Sequence, residues 1–145
     1  MARGDTRLVV LSDSHGLLRL TPLRPKAGAA VELEVRMERG HWTSDDPGLE
    51  RNDLRAIARW LRSIGRGRRP KELGFLEPNL RFECLTDDEQ VRIRVWFEGE
   101  ARPEWAPYET WDEEDLWLDL SLERAEIAAA AESLADELTR IEARP

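Results

Sequence analysis

The residues best placed to do chemistry lie near the start of the chain, where Leu8-Val9-Val10-Leu11 runs into Ser12-Asp13-Ser14-His15-Gly16. An Asp-x-His at the end of an apolar strand is how a two-metal phosphoesterase centre of the calcineurin-like kind begins, with paired ions clamping a phosphoryl group. Such a centre needs several more ligands from later motifs. The only other histidine is His41, in Gly40-His41-Trp42. One aspartate and one histidine cannot hold two ions, and Asp-Ser-His-Gly is also good turn chemistry. The segment is expected to turn between two strands. His15, His41 and Cys84 also lack the close paired spacing of a zinc site. Cys84 falls in the inward phase of a strand and is expected to pack as a small hydrophobe, with no base nominated beside it.

Carboxylates are plentiful at Asp87-Asp88-Glu89 and from Glu109 to Asp115. General acid–base work needs one carboxyl in an apolar pocket and another in water, whereas runs of acids in polar loops are expected to be solvated. Arg62, Arg66, Arg68, Arg69 and Lys71 surround Gly65 and Gly67. Without interleaved aromatics they suit a helix end and linker better than a phosphate site. The segment from Trp105 to Asp115 is different in kind. It holds Trp105, Tyr108 and Trp111 together with Glu109, Asp112, Glu113, Glu114 and Asp115. Aromatics rimmed by charge suit a protein-binding patch. The bland alternative is a loop folding its own tryptophans onto a sheet edge. Trp96 and Trp117 strengthen the binding reading, because their strand phase puts them on an outer sheet face, where an isolated domain gains little from tryptophan.

These residues must be positioned by the surrounding elements. Val31, Leu33, Val35 and Met37 alternate with charged residues and predict a half-buried antiparallel strand, which Gly40 turns into a second one through Trp42. Leu49, Leu54, Ile57, Ala58, Leu61 and Ile64 recur at helical spacing after Asp46-Pro47 and stop at Gly65 and Gly67. Leu73 to Leu76 predicts a short strand, Glu77-Pro78-Asn79 a turn, and Leu80, Phe82 and Cys84 the inner face of the next strand. Thr86 to Glu89 turns into a partner strand carrying Val91, Ile93, Val95 and Phe97 inward. Residues 99–110 are loop-like, Leu116 to Leu120 form a last strand, and Glu123 to Ile141 form the strongest helix. Glu32, Glu34, Arg36, Arg81, Glu83, Arg92, Arg94 and Asp119 fall on the outer strand faces. The expected fold class is α+β, in two layers: an antiparallel β-sheet with two helices packed on one face.

A chain of 145 residues fits one domain, residues 1–145, long enough to bury a real core. Charged residues make up 36% of it and the net charge is −8. Phosphates would be repelled, so no nucleic acid is expected as a partner, and a basic protein surface suits the chain better. The single cysteine rules out an intramolecular disulfide. Four apolar residues at the N-terminus are too few for a signal-peptide core, and no apolar run has membrane-spanning length. The expectation is a cytoplasmic protein with no membrane partner.

The block from about Ala30 to Ile141 resembles the WapI family of bacterial immunity proteins. The resemblance rests on Trp42-Thr43-Ser44-Asp45-Asp46-Pro47, on Leu54 through Ala58-Arg59-Trp60-Leu61, and on Leu73-Gly74-Phe75-Leu76-Glu77-Pro78-Asn79-Leu80-Arg81-Phe82. The strand from Val91 to Phe97 and the alanine-rich acidic helix after Leu116 to Leu120 follow in the same order. The first 29 residues fall outside it. The resemblance implies a non-enzymatic immunity protein that binds and occludes a cognate toxin domain, a nuclease for example, and it implies no catalytic residue, cofactor or metal. The partner-binding residues nominated are Trp96, Trp105, Tyr108, Trp111, Asp112, Glu113, Glu114, Asp115 and Trp117. Within Phe75 to Leu80 the strand phases assign the motif to the fold, not to the work. The alternative is a structural or regulatory module that binds another protein, or its own copy as a homo-oligomer, through a sheet edge.

Overall fold

The computed structural model describes residues 9–24, 28–75, 79–87, 90–103 and 116–142. The first four strands form one antiparallel meander, in the order β1 (Val9–Ser12), β2 (Leu17–Pro22), β3 (Val31–Met37) and β4 (Gly40–Ser44). A second meander follows: β5 (Leu80–Asp87), β6 (Gln90–Phe97) and β7 (Leu116–Glu123). Helix α1 (Arg51–Gly65) separates the two sheets along the chain and α2 (Arg124–Glu142) closes it. The α+β class and the layering are as expected. The strands divide into two sheets because α1 and the segment behind it intervene between β4 and β5, and each strand then pairs with its neighbour in sequence.

The alternation predicted from side-chain type fixes the register. Val91, Ile93, Val95 and Phe97 are fully buried, as are Val31, Leu33 and Val35. Arg92, Arg94 and Trp96 face outward between the former, and Glu32 and Glu34 between the latter. One cluster of buried apolar side chains draws on all seven strands and both helices. Trp60 on α1 lies 5.8 Å from the ring of Phe82 on β5, which seats that helix on the second sheet. Helix α2 lies along α1 and against β1, β2 and β7. The helices pack tightly at Gly65, where an added Cβ would stand 2.7 Å from the Cβ of Ala128.

The helix ends follow local chemistry. The backbone N–H of Glu50 donates to Asp53 Oδ2 at 2.8 Å, half of a capping box. Gly67, at φ +90°, lets the chain turn back, so that the Gly67 and Arg68 N–H groups donate to the carbonyls of Ile64 and Ser63. At α2 the Glu123 N–H donates to Glu126 Oε1 at 2.9 Å. The expected strand from Leu73 to Leu76 is corrected over its described residues, 73–75: among them only Leu73 pairs, in an isolated bridge with Phe82. Gly74, which brings no side chain to pack, makes a poor continuation of that strand.

Asn79 shows what the Phe75-to-Leu80 segment does for the fold. It is 8% exposed, and its Nδ2 donates to the Pro47 carbonyl at 2.9 Å. Its own carbonyl accepts from the Glu98 N–H at 2.8 Å. A Cβ at Gly99 would come within 2.4 Å of its Oδ1. One asparagine therefore ties the start of β5 to the loop before α1 through its side chain and to the end of β6 through its backbone. Leu76, Glu77 and Pro78 lie outside the described residues.

Candidate functional site

Chain order on the second sheet makes a surface of unusual composition. Directly opposed residues share a face, so the register stacks the outward side chains in rows across the strands. One row is Arg81–Trp96–Trp117, the next Glu83–Arg94–Asp119, and the third includes Arg92 and Ser121. The Trp96 and Trp117 rings are 5.3 Å apart at 47°. The Arg81 guanidinium lies 4.4 Å from the Trp96 centroid, and that of Arg94 lies 5.5 Å and 4.9 Å from Trp96 and Trp117. Trp96 is half-buried and its Nε1–H donates to Glu83 Oε1 at 2.5 Å. Trp117 is the large apolar side chain that stays exposed among the described residues, at 42%.

Electrostatics locks these rows in place. Arg94 donates from Nε and from an Nη to the two oxygens of Asp119, at 2.7 and 2.9 Å. That hydrogen-bonded contact pushes the Arg94 pKa up; burial opposes it, and the charges of Asp119 and Glu83 add to the rise. Glu83 is held by the Trp96 indole and Asp119 by a guanidinium, so neither carboxyl is set up for proton transfer. The face is an aromatic platform whose charged groups are paired among its own side chains.

The β5 edge is partly covered. The Leu73 N–H and carbonyl pair with Phe82 on β5, and Arg69 donates to the carbonyls of Cys84 (3.4 Å) and Leu85 (2.8 Å) on the same strand. On β7 the Ser121 N–H donates to Asp13 Oδ2 at 2.9 Å. Beside β4, Trp42 Nε1–H and Ser44 Oγ–H donate to the carbonyls of Ala101 and Glu100. These contacts leave little free backbone on β5 for strand addition.

Asp13, the residue with the strongest appearance of chemistry, does structural work. Its Oδ1 accepts the N–H groups of His15 and Gly16 at 2.8 and 3.0 Å, and its other oxygen bridges to β7. His15 is exposed on the same turn. Cys84 is buried. Among the described residues no group of three or more His, Cys, Asp or Glu side chains is placed to hold a metal ion. In the basic stretch, Arg62 pairs with Glu132 on α2 at 3.0 Å and Arg69 caps the β5 edge, while Arg66 and Arg68 are exposed.

Beside Trp117 the surface sinks into an open cleft of about 940 Å³. It is walled by Asp13 and His15 from the β1–β2 turn, Glu38 and Arg39 from the β3–β4 turn, and Arg92, Trp117, Asp119 and Ser121 from the second sheet. Sequence reasoning missed this cleft, since it forms only where two hairpin turns of one sheet meet the outer face of the other. Of the nominated binding residues, Trp96 and Trp117 stand side by side at this face. Trp105, Tyr108, Trp111, Asp112, Glu113, Glu114 and Asp115 lie outside the described residues. No helix is long and apolar enough to cross a membrane among the described residues.

Comparison with known proteins gives a family. The immunity protein WapI-like family matches residues 12–142, and the chain belongs to it. The match reaches further toward the N-terminus than the Ala30 start read from the motifs, taking in the Asp13 turn and β2. The curated proteins gave no match. A solved structure titled "Structure of the plant transcriptional regulator PBF-2" is similar in fold, with a TM-score of 0.51 and 11% identity over 98% of this chain and 85% of that one. At that identity the likeness concerns the fold alone.

Proposed function

We propose that this member of the immunity protein family neutralises a toxin domain by binding it, without catalysis, in the cytoplasm of the cell that makes both. The whole chain acts as one unit in this reading. The observation that carries it is Trp117, left exposed on a platform whose other members are locked by Trp96, Arg94 and Asp119. An isolated protein gains nothing by leaving a tryptophan uncovered, whereas a partner that covers it gains a hot spot. Trp105, Tyr108, Trp111 and the acids Asp112, Glu113, Glu114 and Asp115 are proposed as partner-binding residues as well, on the composition of their segment, aromatics rimmed by acids. A net charge of −8 suits a basic toxin such as a nuclease, through steering and complementarity.

The alternative, self-association through a sheet edge, is weakened by the contacts that cover β5. The test is co-expression with the toxin domain encoded beside this chain. Restored growth together with a co-purifying complex is expected. Growth arrest with no complex overturns the reading.

A further inference from the structure

Helix α1 carries a row of arginines. Arg51, Arg55, Arg59 and Arg62 recur at the spacing of one helix face, and Arg66 at the C-cap extends the row. At the helical rise it runs about 22 Å. The row faces α2: Arg51 and Arg55 share the Glu142 carboxylate, and Arg62 donates to both oxygens of Glu132, at 3.0 and 3.2 Å. Between the two helices lies an open groove of about 220 Å³, with Ala58, Ala135 and Leu138 as its apolar lining.

This groove is positive although the chain carries −8. Its charged lining is three guanidiniums, Arg55, Arg59 and Arg62, against one carboxylate, Glu142. Adding Arg51 and Glu132, which join the same ion pairs, keeps the excess at two; counting Asp136, beside Ala135 on α2, against it still leaves one. Asp53, the acid within α1, is turned back to the Glu50 N–H. Arg59 is exposed and has no ion-pair or hydrogen-bond partner among the described residues, although the arginines on either side of it do. The tryptophan platform is a separate surface: Trp96 and Trp117 stand on the outer face of the second sheet, whereas α1 packs on the inner face, through Trp60 on Phe82.

We infer that the α1–α2 groove docks an acidic segment of a protein other than the toxin domain, with a carboxylate on Arg59 and the stem of that side chain over Ala58, Ala135 and Leu138. The acidic chemistry follows from the surplus of guanidiniums. That the segment belongs to a second partner rests on reading the toxin as basic, since a basic domain is repelled here. Nucleic acid fits the groove less well: no aromatic side chain lines it to stack a base, and the remaining surface opposes a long polyanion.

The experiment follows the methyl signals of Ala58, Ala135 and Leu138 by NMR while hexa-glutamate, hexa-arginine or a hexauridine RNA is added at low salt. Hexa-glutamate is expected to move them saturably, hexa-arginine to leave them still, and the RNA to bind more weakly than hexa-glutamate. Arg59→Gln should weaken the hexa-glutamate complex about threefold, in the range of an exposed ion pair. Arg36→Gln removes an equal charge from an exposed position on β3 and should leave it unchanged. Signals that do not move, that move equally with hexa-arginine, or that respond more tightly to the RNA overturn the inference, as does an Arg36→Gln effect equal to that of Arg59→Gln. Light scattering that shows the wild type associating with itself and Arg59→Gln not doing so also overturns it, by making the occupant a second copy. The toxin domain encoded beside this chain should bind Arg59→Gln as it binds the wild type; a loss there would give the groove to the toxin and overturn the second partner. A toxin domain that binds neither protein removes the immunity reading, while the peptide titrations decide the groove by themselves.

Discussion

Trp96 and Trp117 occupy directly opposed positions on β6 and β7, their rings 5.3 Å apart, with the Arg94 guanidinium near both and its charge tied to Asp119. The pair is pre-organised: its side chains are ordered before any partner arrives, so little conformational entropy is left to lose on binding. The interior is built from other contacts, and this separates residues whose loss should unfold the chain from residues whose loss should leave it folded and unable to bind.

Asn79→Ala should destabilise the fold. The substitution leaves the Pro47 carbonyl without its buried partner, at a cost of about 1–3 kcal/mol. Urea unfolding should show a lower midpoint with an unchanged slope. Affinity for the toxin domain, measured on folded protein, should not change.

Gly65→Ala tests the crossing of α1 and α2. Its new Cβ would stand 2.7 Å from that of Ala128, an overpacking expected to cost about 1–3 kcal/mol. Adding Ala128→Gly should recover part of the loss, and a thermal-denaturation cycle over the four variants measures the coupling. Strict additivity would mean that the helices do not meet there.

Arg94→Lys removes a fork that meets both Asp119 oxygens and cannot be replaced by a point charge. A destabilisation of about 1 kcal/mol is expected for this half-exposed pair. The raised pKa of Arg94 implies that its contribution is full at every pH below the ordinary arginine range and is lost only at more alkaline values, as pH rises through the folded-state pKa. A stability difference between the two proteins should therefore persist at neutral pH and above, through the range in which other groups titrate.

Arg69→Ala should uncover the Cys84 and Leu85 carbonyls on the β5 edge. The wild type is expected to be monomeric by light scattering, and the variant to associate as concentration rises. A tight wild-type dimer would favour the structural-module alternative.

Much of the fold was legible in the order of residues. The alternation at Val31 to Met37 and Val91 to Phe97 gave the strands and the outward phase of Trp96, and the apolar stripes gave both helices, α2 to within a residue at each end and α1 with Leu49 included though the helix begins at Arg51. The division into two sheets was not legible, since alternation tells which face a side chain takes and not which strand lies next to it. Asp13 was read correctly as a turn residue, but its bond to Ser121, 108 positions away, depends on tertiary packing. The cleft beside Trp117 is hidden for the same reason: its walls come from turns near residues 13–15 and 37–39 and from strands beyond residue 91.

The most direct test of the account is the affinity of the purified chain for the toxin domain encoded beside it, measured by calorimetry at low and high salt for the wild type, for Trp117→Ala, and for a triple charge reversal at Glu113, Glu114 and Asp115. Trp117→Ala is expected to weaken binding about tenfold or more while leaving the melting temperature nearly unchanged. The charge reversal should lower affinity and flatten its salt dependence. Affinity and salt slope indistinguishable from wild type in both variants would contradict the placement of the toxin interface on this face.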